Sequence, residues 1–96
     1  MYARVTKIRF PPEMEAELSS VAQGLAPILR RQRGFEGLQM LTEPNVGEGI
    51  ITCFWETETE AEASEATSSY IGQMSMMSSF LQERLTPRTY QASVHA

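Results

Sequence analysis

Apolar residues in the first ten positions alternate with Arg and Lys instead of forming a block. Val5, Ile8 and Phe10 are β formers, and Pro11-Pro12 ends the run, so Met1–Phe10 reads as a strand. A helix begins near Pro12 or Glu13, where Pro suits a first turn and Glu13, Glu15 and Glu17 complement the positive end of the dipole. Met14, Leu18, Val21, Leu25, Ile28 and Leu29 then recur at intervals of four and three, the stripe of an amphipathic helix. Pro27 lacks the N–H that would bond to residue 23, so a kink is predicted there, beside Gly24. The helix is expected to end at Arg33-Gly34, with Gly34 as a left-handed cap.

Phe35 to Glu43 reads as a second strand, and Ile50 to Glu56 as a third. The turn formers from Pro44 to Gly49 join them into an antiparallel hairpin. Thr57 with Glu60, and Thr59 with Glu62, each have capping-box spacing at the start of a second helix. Its apolar stripe is Tyr70, Met74, Met77, Leu81 and Leu85; serines and Gly72 favour a break near residues 67–72, and Pro87 stops it. Thr89 to Val94 is a last short strand. The order βαββαβ over 96 residues predicts one α+β domain spanning residues 1–96, a ferredoxin-like sandwich with both helices on one face of a four-stranded sheet.

The other sheet face needs a cover. A sheet wetted on one side alternates apolar and polar residues. In the third strand Ile51, Cys53 and Trp55 point one way and Ile50, Thr52 and Phe54 the other, and both sets are mainly apolar. Val5 opposes Tyr2, Ile8 and Phe10; Leu41 opposes Leu38 and Met40. Monomers rarely leave several hundred Å² of apolar sheet in water, an area worth several kcal/mol at ~25 cal/mol per Å². A homodimer packed sheet to sheet about a two-fold axis is therefore expected.

Charge and composition remove other classes. All 12 acids are Glu, and the only His is His95, so a Ser-His-Asp triad cannot be built and no metal site is expected. The net charge of -4 disfavours non-specific nucleic-acid binding. No apolar run approaches the ~20 residues of a membrane span. A lone Cys53 excludes an internal disulfide, which points to the cytoplasm. Residues 1–34 carry +3 and residues 35–96 carry -7; Arg30, Arg31 and Arg33 read as cations at a helix C-terminus, or alternatively as an anion patch.

Tyr2-Ala3-Arg4-Val5-Thr6, Arg31-Gln32-Arg33-Gly34-Phe35-Glu36-Gly37 and Phe54-Trp55-Glu56-Thr57-Glu58 carry a family resemblance across nearly the whole chain. In these phrases the chain resembles the antibiotic-biosynthesis-monooxygenase-type dimeric α+β barrel superfamily, with Arg33 in place of a usual Pro and Thr57 in place of a usual Ser. The resemblance implies a dimeric α+β barrel, and members include oxygenases that use neither metal nor flavin, so no cofactor is expected. Quinone-forming members have a pocket Trp that matches Trp55, an Asn four residues earlier and a Tyr six residues later. This chain has Ile51 and Ala61 there. Haem-degrading members need an Asn on the first strand and a Trp and a His on the second helix; here the only Asn is Asn45, in the hairpin turn, and residues 57–85 contain neither Trp nor His.

The candidate ligand-binding residues are Trp55, Tyr70, Met74, Met77 and Arg4. Trp55 is either an aromatic wall for a flat ligand or a core residue joining the third strand to the second helix. Met74, Met76 and Met77 make either a pliable pocket or ordinary packing. Tyr70 can hydrogen-bond a bound phenol or carbonyl, or merely satisfy itself. Arg4, Lys7 and Arg9 are candidates to hold a substrate oxyanion, or to pair with Glu. Cys53 reads as core filler, since no neighbouring cation activates it. His95 has a suitable natural pKa for a base but lies in the tail. Two functions follow: a cofactor-independent oxygenase acting on a small aromatic or polyketide-like compound, or a non-catalytic ligand-binding or stress-associated homodimer using the same apolar cavity.

Overall fold

A computed structural model describes residues 1–94 and 96. The candidate base His95 lies outside the described residues. The chain runs β1 (Tyr2–Arg9), α1 (Glu15–Gln23), α2 (Leu25–Arg30), β2 (Phe35–Glu43), β3 (Glu48–Trp55), α3 (Glu58–Ala63), α4 (Ser68–Ser78) and β4 (Arg88–Gln91). Short 3₁₀ turns precede α1, at Pro12–Met14, and join α3 to α4, at Ser64–Ala66. The four strands form one sheet in the order β2-β3-β1-β4, with every neighbouring pair antiparallel. This is the ferredoxin-like α+β arrangement.

Pairing sorts the strands into two faces. Arg4 lies opposite Cys53, Thr6 opposite Ile51, and Leu38 and Met40 opposite Cys53 and Ile51. These residues face the helices. There Ile8, Ile51, Cys53 and Trp55 join Leu18, Ala22, Leu25, Leu29, Ala61 and Met77 in the buried core. A bulge between Phe35 and Gly37 makes Glu36 an extra residue. Phe35 and Leu38, three apart, therefore both face inward, and Phe35 meets Trp55 edge-on at 5.4 Å between ring centroids. The opposite face carries Val5, Lys7, Thr52, Phe54 and Ile50. On it Leu41, Ile50 and Tyr90 are 57%, 37% and 52% exposed.

The helical segments differ from the sequence expectation in three places. The first helix breaks at Gly24, before Pro27, because the proline leaves the Gln23 carbonyl without its bond. Gly24 N–H bonds instead to Val21 at 3.1 Å, and the Gln73 side chain donates to the same carbonyl at 2.7 Å. That helix ends at Arg30, so Gly34, at φ +83°, turns the chain into β2 without capping it. The second helical region breaks at Thr67, which is extended, within the expected stretch 67–72; what differs is that α4 stops at Ser78. Ser78 and Ser79 hydroxyls donate back to the Met74 and Met76 carbonyls, and Gln82 N–H already bonds to Arg9 at 2.8 Å. Of the two expected capping boxes, Thr57 with Glu60 forms: Thr57 Oγ1 accepts from Glu60 N–H at 3.2 Å. No described helix is long and apolar enough to cross a membrane.

Candidate functional site

Arg4 sits mid-β1 on the helix-facing side, between Cys53 of β3 and Thr89 of β4. A cation there requires partners, because burial without them is costly. It finds them from above and beside. Nε donates to Glu65 Oε2 at 3.0 Å, Nη2 to Glu65 Oε1 at 2.8 Å, and Nη1 to Thr89 Oγ1 at 2.8 Å. The pair is bidentate and largely enclosed, with side chains 17% and 24% exposed.

Local chemistry places Glu65. Buried Ser64 donates to the Ala61 carbonyl at 2.7 Å and tightens the end of α3 into a 3₁₀ turn. Thr67 leaves helical geometry (ψ 144°), and its hydroxyl accepts from Tyr70 N–H at 3.3 Å, starting α4 afresh. Glu65 hangs from the turn between these two events, over the sheet. Sequence reasoning did not single it out. The available signal was the inward parity of Arg4, which demands a carboxylate from the chain packed above.

Beside this pair, β1, α4 and the segment after α4 enclose an open cavity of about 270 Å³. Thr6, Glu65, Tyr70, Met74, Leu85 and Pro87 are among its lining residues. Its lining is mainly apolar, and Glu65, Tyr70, Thr6, Ser75 and Ser78 are its polar members. Burial, reinforced by the Glu65 charge, raises the Tyr70 phenol well above its ordinary range, so it stays a hydrogen-bond donor. Burial pushes the Cys53 thiol up to about 12, again with help from Glu65, and holds it neutral. The Arg4 guanidinium is raised chiefly by its hydrogen bonds to Glu65.

The structure thus brings Arg4, Tyr70 and Met74 to one place, with Arg4 acting through Glu65. Trp55 and Met77 are wholly enclosed in the core and do not line the cavity. Trp55 Nε1 is buried without a hydrogen-bond partner. Met76 is exposed. Lys7 and Arg9 lie on the opposite sheet face, where Arg9 pairs with Glu83 at 3.3 Å and with Glu48 at 3.8 Å. They border a shallower groove of about 550 Å³ with Leu41 and Ile50. Arg30 occupies the last turn of α2, and Arg33 approaches Glu60 at 3.8 Å. Among the described residues, no three His, Cys, Asp or Glu side chains gather as metal ligands would.

The profile of the antibiotic biosynthesis monooxygenase family matches residues 1–71. The chain belongs to this family. Solved structures of similar fold agree with the membership. SnoaB, a cofactor-independent oxygenase from Streptomyces nogalater, superposes with a TM-score of 0.79 at 16% identity, covering 98% of this chain and 94% of that one. A Bordetella bronchiseptica protein described provisionally as an antibiotic biosynthesis monooxygenase gives 0.83 at 15% identity, covering 97% of each chain. Rv0793 from Mycobacterium tuberculosis gives 0.79 at 10% identity, over 99% of this chain and 97% of that one. At these identities the likeness is one of fold. No curated protein matches the sequence. Within the monooxygenase family frame, Ile51 and Ala61 are both buried in the core that holds Trp55, so no polar side chain from either position reaches the indole.

Proposed function

We propose that this family member is an oxygenase that needs neither metal nor flavin and acts on a small aromatic or polyketide-like compound with an acidic methylene. The carrying observation is the mainly apolar cavity whose lining includes the Arg4-paired Glu65 and a Tyr70 phenol that burial keeps protonated. The reaction asks little else of a protein. A methylene carbon flanked by aromatic carbonyl chemistry loses a proton to Glu65, and the resulting carbanion reduces dioxygen. One oxygen atom becomes the new ketone, and the other leaves as water with the two hydrogens of the methylene. Tyr70 donates a hydrogen bond to the substrate oxygen on which the negative charge develops. Arg4 holds Glu65 in place, Met74 and Leu85 contact the ring, and Trp55 and Met77 form the packed wall behind them. SnoaB, of the same fold, is a cofactor-independent oxygenase, which supports the class of chemistry.

Two copies are proposed to pack through the uncovered sheet face, where Leu41, Ile50 and Tyr90 would leave water together. A buried, free Cys53 suits a reducing cytoplasmic setting. One observation favours the non-catalytic reading, a ligand-binding homodimer: Ile51 and Ala61 leave Trp55 without polar company. An oxygen electrode separates the two. With a hydroxyanthrone and a chelator present, the oxygenase consumes one O₂ per ketone formed, above autoxidation. Uptake equal to buffer across a varied panel of such compounds refutes it.

A further inference from the structure

We infer that the Arg4-anchored Glu65 makes the cavity select neutral hydrogen-bond donors, phenols above all, and reject carboxylates, so that Glu65 is its specificity-determining residue. This rests on the cavity proposed above as the reaction site and names what it admits.

Three observations carry it. First, Arg4 does not line the cavity, and three of its five N–H groups are already committed. Nε and Nη2 are held by Glu65 and Nη1 by Thr89. Among the described residues no Lys, Arg or His lines the cavity, so an entering carboxylate finds no cation there to neutralise it. Second, each oxygen of Glu65 accepts one bond from Arg4, while an ionised carboxylate has about four acceptor sites. The remaining capacity faces a groove whose other polar side chains are the Tyr70 phenol and the hydroxyls of Thr6, Ser75 and Ser78. A ligand hydroxyl that donates to Glu65 and accepts from Tyr70 satisfies both. Third, the electrostatics at the cavity wall are adverse to anions. Burial first, and the Glu65 charge second, hold both the Cys53 thiol and the Tyr70 phenol toward their neutral forms, and the opposite influence of Arg4 on Tyr70 is smaller than that of Glu65. An exogenous anion placed against Tyr70 meets the same field.

Isothermal titration under nitrogen at pH 7 with four naphthalene derivatives tests the selection without turnover. Naphthol and naphthylamine are neutral donors, methoxynaphthalene is neutral without a donor, and naphthoate is an anion of the same ring. Naphthol and naphthylamine are expected to bind within a few-fold of each other, methoxynaphthalene several-fold more weakly, and naphthoate at least tenfold more weakly than naphthol. Glu65→Gln leaves an acceptor for Arg4 but removes the negative charge, so naphthoate should then bind as tightly as naphthol or tighter. Naphthoate matching naphthol on the unaltered protein overturns the inference, as does no binding of any of the four. An unchanged naphthol-to-naphthoate ratio in a folded Glu65→Gln variant overturns it too; if that variant does not fold, the ratio on the unaltered protein decides. Selective naphthol binding without oxygen uptake on hydroxyanthrones defeats the oxygenase reading alone. Oxygen uptake with phenol and carboxylate bound alike defeats the selection alone.

Discussion

Replacing Arg4 with Met separates the worth of the ion pair from that of the aliphatic stem, which Met retains. Exposed pairs contribute about 0–1 kcal/mol, and removing one member of a fully buried pair costs about 3–5 kcal/mol. Arg4 and Glu65 are mostly enclosed, at 17% and 24% exposure, and Arg4 makes three side-chain hydrogen bonds. The substitution leaves Glu65 charged over the sheet with no cation, so a loss of roughly 2–3 kcal/mol is expected. For a domain of this size that corresponds to a fall in Tm of roughly 10–20 °C. Urea melts followed by circular dichroism and by Trp55 fluorescence, at one protomer concentration, should show a lower midpoint with an unchanged slope. The double variant Arg4→Met with Glu65→Leu removes the stranded charge and should recover more than half of the loss. An Arg4→Met loss below about 0.5 kcal/mol, or a double variant that merely adds the two single losses, would refute this account of the pair.

Cys53 and Tyr70 make the fold sensitive to alkali. Both are neutral acids whose folded pKa is raised, so the unfolded chain gives up its protons first; stability intact below about pH 9 should fall between the ordinary thiol value of 9.0 and about 12. Cys53→Ala should flatten the lower part of that decline in pH-dependent melts, and the native thiol should resist alkylation at pH 8 until denaturant is added. Gly47→Ala should cost at least about 2 kcal/mol in the same melts, because φ is +78° and a Cβ would strike the Phe10 carbonyl oxygen. Leu41→Lys, on the uncovered sheet face, should shift sedimentation from a dimer toward a monomer; identical sedimentation of both forms would argue against sheet-to-sheet pairing.

The strands were legible because their pattern of period two is read by pairing. Ile51, Cys53 and Trp55 share one face, as their parity requires, and the structure shows that face to be the one under the helices. Helix ends were less legible because a period of about 3.6 reports burial and says little about backbone. Leu81 and Leu85 continue the stripe of Tyr70, Met74 and Met77, and they pack against the core, yet neither belongs to a helix. Serine hydroxyls bonded back to carbonyls end α4, and the chain is drawn across to Arg9. The Glu36 bulge was likewise invisible: strict alternation would send Phe35 and Leu38 to opposite faces, and only contact with Trp55 shows why an extra residue is tolerated there.

The candidate site illustrates the same limit from the side of chemistry. Arg4 could be placed on the inner face by counting, but its carboxylate lies 61 positions away in a turn whose geometry depends on Ser64 and Thr67. Trp55, matched by motif, is the poorer guide. Its indole meets Phe35 edge-on within a core that includes Ile51 and Ala61, and its N–H meets no acceptor. A buried donor without a partner costs on the order of 1–3 kcal/mol, a burden the surrounding apolar packing offsets. The positions where quinone-forming relatives have Asn and Tyr hold apolar side chains here. The polar groups able to handle a proton lie instead one step along the sheet, where Arg4 pairs with Cys53 and β1 meets the α3–α4 turn. On the function proposed above, chemistry runs at Glu65 and Tyr70 with Arg4 behind them, and Trp55→Phe should leave ligand selection intact while Glu65→Gln changes it.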